Sequence, residues 1–206
     1  MNRITVCIVD YGVGNLRSLT SYFSTEQFAP VVTSDPSMIL NAQLCVLPGV
    51  GSFDRVMSFV IARGIDRVIK ERLSYGKLTL GICMGLQIMF DASSEGERKG
   101  LSIFNGFVDK IPCDRRIAGW GALEAVKESS RATSINVKDE SYFYFNHGYQ
   151  VMPDTIDADQ FRDIYISDLI LGLVIADGFV GCQFHPENSQ RAGNDFRREL
   201  RSILYV

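Results

Sequence analysis

The chain has 206 residues, enough for one domain with a filled core. Its formal charge of -3, from 21 Lys and Arg against 24 Asp and Glu, offers no basic field for a phosphate backbone, so nucleic acid is not an expected partner. No apolar stretch reaches membrane length and the N-terminal apolar run is too short for a signal segment; the five cysteines, odd in number and scattered without a C-x-x-C pair, suit a cytosolic protein with reduced thiols and no metal.

Residues 5–9, 44–47 and 78–82 are β-branched or aliphatic runs without polar alternation, the pattern of parallel strands buried on both faces. Helical spacing lies between them, at Leu16, Leu19 and Phe23, and at Val56, Phe59 and Val60 continuing into Ile65, Val68, Ile69 and Leu73. This alternation predicts an α/β fold with a mostly parallel open sheet and flanking helices. In the second half, residues 104–111, 141–151, 165–167 and 171–184 read as strands close together in sequence, an antiparallel sheet added to the parallel one. Residues 197–204 read as a closing helix. With no Pro-, Gly- or Ser-rich linker and no repeat, residues 1–206 are read as a single domain.

Gly81-Ile82-Cys83-Met84-Gly85 stands between the third strand and Leu86-Gln87-Ile88-Met89-Phe90, which can start a helix. This is the G-x-nucleophile-x-G pattern of a strand-to-helix elbow, whose glycines remove Cβ atoms that would collide with neighbouring strand and helix. A cysteine there is exposed at the strand's carboxyl end and favoured as thiolate by the helix start, with the Met84 N–H aimed at an oxyanion. Cys7, Cys45 and Cys182 sit inside apolar strands and read as small core residues. Cys113, between Pro112 and Asp114, has no evident partner.

A cysteine nucleophile needs an imidazole, and the chain has two, His147 and His185. His185 ends an apolar run and is followed by Pro186 and Glu187; in extended geometry His185 and Glu187 point to one side, so the carboxylate can orient the ring. Pro186 places the tripeptide at a strand end or edge. His147 has no acidic neighbour and reads as a pocket wall. Pro48-Gly49-Val50-Gly51 leaves the second strand on the same sheet edge as Cys83 if the two strands are neighbours, and Val50 can then supply the second oxyanion N–H. Gly12-Val13-Gly14, with Asp35 further on, invites a dinucleotide reading but lacks the third glycine.

Asp10-Tyr11-Gly12-Val13-Gly14-Asn15-Leu16, Leu47-Pro48-Gly49-Val50-Gly51, Gly81-Ile82-Cys83-Met84-Gly85-Leu86-Gln87 and Gln183-Phe184-His185-Pro186-Glu187 occur in the order of a known family. Over essentially its whole length the chain resembles the glutaminase subunit of imidazole glycerol phosphate synthase, a class I glutamine amidotransferase of flavodoxin-like fold. The elbow and H-P-E are shared by the class; the tyrosine-glycine loop and Tyr142-Phe143-Tyr144-Phe145 are narrower markers. The resemblance implies a Cys83, His185, Glu187 triad, Val50 and Met84 as oxyanion-hole amides, and Gly51, Gln87, Glu95, His147, Gly148 and Tyr149 around L-glutamine. It implies thioester formation at Cys83, ammonia release and hydrolysis to glutamate without a cofactor. It also implies a heterodimer with a (β/α)₈-barrel synthase subunit that receives the ammonia, with Asn15, Trp120, Gly121 and Asn188 towards that partner.

Three positions depart from the family pattern. Asn188 replaces a usual basic residue after H-P-E, Gly121 an asparagine often found after Gly-Trp, and Gly148 a usual Ser or Thr. The lost cation would remove a cross-subunit charge pair. A paralogue feeding a related barrel synthase in surface-sugar biosynthesis therefore stands beside the histidine pathway. A catalytically silent binding module and a stand-alone hydrolase of γ-glutamyl compounds are also compatible with these residues.

Overall fold

The computed structural model describes residues 3–111, 117–127, 135 and 141–204; Cys113 lies outside them. The first half alternates strand and helix: β1 (Ile4–Val9), α1 (Arg17–Phe23), β2 (Phe28–Thr33), α2 (Pro36–Asn41), β3 (Leu44–Leu47), α3 (Phe53–Ala62), α4 (Ile65–Ser74) and β4 (Thr79–Ile82). A single-turn α5 (Met84–Gln87) and β5 (Ala92–Ser93) follow. Then come β6 (Phe107–Lys110), β7 (Ile117–Ala122), β8 (Glu124–Lys127), β9 (Tyr142–His147) and β10 (Tyr149–Val151). The chain closes with β11 (Asp163–Ser167), β12 (Ile170–Ala176), β13 (Phe179–Cys182) and α6 (Gln190–Leu204).

The main sheet has the order β2-β1-β3-β4-β13-β12-β11-β8. Its first five strands are parallel, the flavodoxin-like order, and the last three continue it antiparallel. A β7-β9 ribbon and a β10-β6-β5 sheet stand apart from it. The expected α/β class with added antiparallel sheet is what the chain adopts.

Each face of the sheet has its own core, because successive strand residues point to opposite sides. Cys7, Val9, Cys45 and Leu47 pack against Val56, Val60, Ile65 and Ile69 of α3 and α4. Val6, Ile8, Val46, Leu80 and Ile82 pack against Leu19 and Phe23 of α1 and Phe196 and Leu200 of α6. Between α4 and the sheet lies Arg72, fully buried, donating to the carbonyls of Ile39 (2.7 Å), Leu40 (3.0 Å), Ala42 (2.8 Å) and Leu78 (2.7 Å). One guanidinium thus closes the C-terminal end of α2 and ties it to the strand entering the elbow.

Several expected elements have different bounds. The segment running through residues 56–73 is two helices, broken where Gly64 takes φ 67°. The stretch 171–184 is a hairpin, β12 and β13, turned at Gly178 with φ 71°. The stretch 141–151 splits at Gly148, sending β9 and β10 to different sheets. β2, α2, β7 and β8 add to the expected elements: β2 is an edge strand with Val31 and Val32 exposed and Pro30 inside it, so it lacks the buried apolar run by which strands are recognised. Asp35 has a structural task, its Oδ1 accepting from Ser37 N at 2.7 Å to cap α2. The space beside Gly14 is filled by the Val50 side chain, so the N-terminal loop supports residues 48–51.

Candidate active site

β3, β4 and β13 are consecutive parallel strands, with Leu47 opposite Gly81 and Cys182 opposite Ile82. Their carboxyl ends therefore release residues 48–51, Cys83 and residues 183–187 on one sheet edge, where open α/β sheets place their ligands. Cys83 has φ 47° and ψ −104°, a strained conformation for a residue with a Cβ. Its amide donates to Cys182 O at 2.7 Å and its carbonyl accepts from Gln87 N at 3.0 Å, fixing both sides of the elbow. A Cβ on Gly85 would collide with the Leu47 carbonyl, and one on Gly81 would lie 2.6 Å from Gly85 O, so only glycine lets α5 return so closely over β3 and β4. Met84 opens α5, where N–H groups have no partner within the helix.

His185 approaches from β13. Its Nδ1 lies 2.9 Å from Glu187 Oε1, with both side chains about nine-tenths buried, and its ring stands beside Cys83, the two residues meeting the same Cβ position of Gly49. The Glu187 position differs from the extended one expected. Residues Pro186–Asn188 form a 3₁₀ turn with proline at its start, which folds the carboxylate back to the ring. Burial works against charge on His185, but the hydrogen bonds to Cys83 and Glu187 and their negative charge outweigh it and push its pKa up to about 10. The backbone is held as firmly: His185 N donates to Tyr144 O at 2.8 Å, and Ser189 Oγ donates to His185 O at 2.7 Å while accepting from Tyr144 N at 2.9 Å.

Gly49 covers the pair. A Cβ there would lie 2.8 Å from Cys83 Cβ and 2.9 Å from His185 Cε1. Val50 follows it with its side chain against Gly14, and Gly51 takes φ 90° with Val13 and Val56 nearby. Glu95 is tied to the start of α3, its Oε2 accepting from Phe53 N at 2.9 Å, two residues past Gly51. The Tyr149 carbonyl collects two donors, Gln87 Nε2 at 2.8 Å and His147 Nδ1 at 3.0 Å. A Cβ on Gly148 would meet nothing within 4 Å.

One residue in contact with the sulfur lies outside the set expected from the sequence. Gln183, fully buried, donates from Nε2 to Cys83 Sγ at 3.3 Å, and its Oε1 accepts from Gln87 Nε2 at 3.1 Å. The available signal is a lone amide interrupting an apolar run just before His185.

Of the residues that the resemblance turned towards a partner, Asn188 lies in the H-P-E turn itself. Asn188 is exposed and shares a cleft of about 500 Å³ with Arg17 and Arg197. Asn15 accepts from Arg17 N at 2.9 Å at the entry to α1. Trp120, half exposed, stacks edge-on against Tyr144 with centroids 5.7 Å apart, and so rests on the strand that holds His185. Gly121 faces inward, where a Cβ would press on Ser167 Oγ and lie 3.1 Å from Phe145. Among the described residues no group of three His, Cys, Asp or Glu side chains is placed to hold a metal ion.

The family model for glutamine amidotransferase class-I matches residues 7–198. "Imidazole glycerol phosphate synthase subunit HisH" of Caldanaerobacter subterraneus subsp. tengcongensis is 36% identical over 189 residues, covering 90% of this chain and 92% of that protein. The protein of the same name from Aquifex aeolicus is 34% identical over 208 residues, covering 95% and 97%. Among solved structures, PurLQS from Thermotoga maritima superposes with a TM-score of 0.72 at 22% identity over 99% of both chains. The glutaminase domain of Trypanosoma brucei CTPS with bound acivicin gives 0.64 at 15% identity over 97% and 93%. These two show the shared fold. The chain belongs to the class-I glutamine amidotransferase family and, within it, to the imidazole glycerol phosphate synthase subunit HisH family.

Proposed function

We propose that the chain hydrolyses L-glutamine to glutamate and ammonia at Cys83, acting as the glutaminase subunit of an imidazole glycerol phosphate synthase in histidine biosynthesis. The observation that carries this reading is the His185 ring, set beside Cys83 across Gly49 and fixed by Glu187 Oε1 at 2.9 Å, behind an elbow with φ 47°. The Cys83 thiolate attacks the side-chain amide carbon of glutamine, and the resulting oxyanion is met by the Val50 and Met84 amides. The His185 imidazolium gives its proton to the departing nitrogen, leaving a γ-glutamyl thioester and ammonia. Neutral His185 then takes a proton from water, whose hydroxide attacks the thioester; the Cys83 thiolate is expelled and pairs again with the His185 imidazolium, and the γ-carboxyl of the departing glutamate ionises to solvent. Glu187 holds the tautomer throughout.

Gly51, Glu95, Gln87, His147, Gly148 and Tyr149 surround the amino-acid portion of the substrate in this reading. One glutaminase domain is involved, since the three catalytic loops leave a sheet built from both halves of the chain. The partner is a synthase subunit, for which the resemblance implies a (β/α)₈ barrel docking over Asn15, Trp120, Gly121 and Asn188. The names of the relatives support the histidine pathway over a sugar-pathway paralogue. No helix among the described residues is long and apolar enough to cross a membrane, and the cytosol is the proposed location. The test is glutamate release from glutamine, alone and with the cyclase subunit of the same organism, for wild type and Cys83→Ala. Partner-stimulated release lost in Cys83→Ala supports the reading; equal release by the two proteins overturns it.

A further inference from the structure

We propose that Gln183 is a further catalytic residue, donating a hydrogen bond to the Cys83 sulfur through a relay whose direction is set by the Tyr149 carbonyl. This deepens the glutaminase reading and rests on Cys83 being its nucleophile. A carbonyl oxygen can only accept, so the Gln87 amide must turn its NH₂ towards Tyr149 O, 2.8 Å away. The same nitrogen lies 3.1 Å from the Gln183 amide and has one proton left, so Gln183 must present its oxygen there. The NH₂ of Gln183 is thereby left facing Cys83 Sγ at 3.3 Å, and the usual ambiguity between the two ends of an amide does not arise.

A thiolate is a strong acceptor and a thiol a weak one, so a donor held in this direction favours the thiolate. The sulfur then has Gln183 as its donor, with the His185 ring two residues further along the same segment after β13. Gln183 is 0% accessible and Gln87 2%, so water does not compete for these bonds. The relay also joins the nucleophile to Tyr149, part of the wall that the proposed glutamine would touch. Movement of that wall would therefore be felt at the sulfur.

The test is the pH dependence of Cys83 alkylation by iodoacetamide in the full-length chain, read by mass spectrometry of the Cys83 peptide. Gln183→Met should raise the pH midpoint by about one unit, which lowers the rate about tenfold below the midpoint. Gln87→Met should shift it the same way, because Gln183 is then free to turn its oxygen to the sulfur. The double variant should shift no further than Gln183→Met alone, as expected for one pathway. Gln183→Glu, which places a carboxylate by the sulfur, should move the midpoint upward and provides a second reading if the methionine variant fails to fold. A wild-type midpoint in folded Gln183→Met or Gln183→Glu overturns the proposal, even if melting temperature falls. Alkylation requires neither glutamine nor partner, so failure of the glutaminase reading would leave this result separately readable.

Discussion

Gly49 lies so close to Cys83 that a Cβ on it would sit 2.8 Å from the Cys83 Cβ, and 2.9 Å from Cε1 of His185 on its other side. The glycine is a spacer that lets residues 48–51 approach Cys83 and His185 together. Gly49→Ala should push the sulfur and imidazole out of line and lower kcat/KM about 100-fold or more, since displacements near 1 Å carry that cost. Steady-state kinetics with a partner, beside a melting curve showing a folded protein, checks this.

The charge on His185 depends on its two neighbours. Burial alone would lower its pKa; Cys83 and Glu187 raise it from the usual 6.5 to about 10. Because the folded value lies above the unfolded one, the bound proton stabilises the fold fully below about pH 6.5, and that contribution is lost as pH rises through about 10. With only two histidines in the chain, NMR titration can follow each ring. In wild type the His185 signal should remain that of an imidazolium at pH 8. In Cys83→Ala and in Glu187→Gln its midpoint should fall, as burial regains weight.

A Cβ on Gly148 would meet open space. Gly148→Ser should therefore be accommodated without strain. If this wall contacts glutamine, the added hydroxyl should lower KM about threefold to tenfold with little change in kcat, the scale of one ordinary hydrogen bond. An unchanged KM would place the substrate elsewhere.

Arg72 donates to four carbonyls and is fully buried. Arg72→Met fills much of the same volume but leaves those acceptors without their donor. The expected loss is about 3 kcal/mol or more. The observable is a lower denaturant midpoint at unchanged slope.

The sequence carried the parts of this molecule that depend on local chemistry. Gly81, Cys83 and Gly85 announced the elbow because a close helix-over-strand turn excludes Cβ atoms, and the structure puts Leu47 O where such an atom would be. Buried parallel strands announced β1, β3 and β4 by their unbroken apolar runs. Edge strand β2 and the ribbon β7 have half-exposed residues and carry no such signal. The H-P-E tripeptide suggested that His185 and Glu187 meet, which they do, but in another local geometry, since a 3₁₀ turn, not an extended chain, brings Glu187 to His185. Gln183 and Arg72 were hard to read for another reason: Gln183 meets Cys83, 100 positions away, and three of the four Arg72 acceptors lie 30 or more positions away, which spacing along the chain does not encode.

The most direct measurement is acid-quenched mass spectrometry of the Cys83 peptide during turnover of L-glutamine in the presence of the cyclase subunit. A γ-glutamyl adduct on Cys83 that accumulates in wild type, and disappears in Cys83→Ala together with glutamate release, is the expected result. Glutamate release that persists in Cys83→Ala, with no adduct on the wild-type peptide, would contradict Cys83 as the nucleophile.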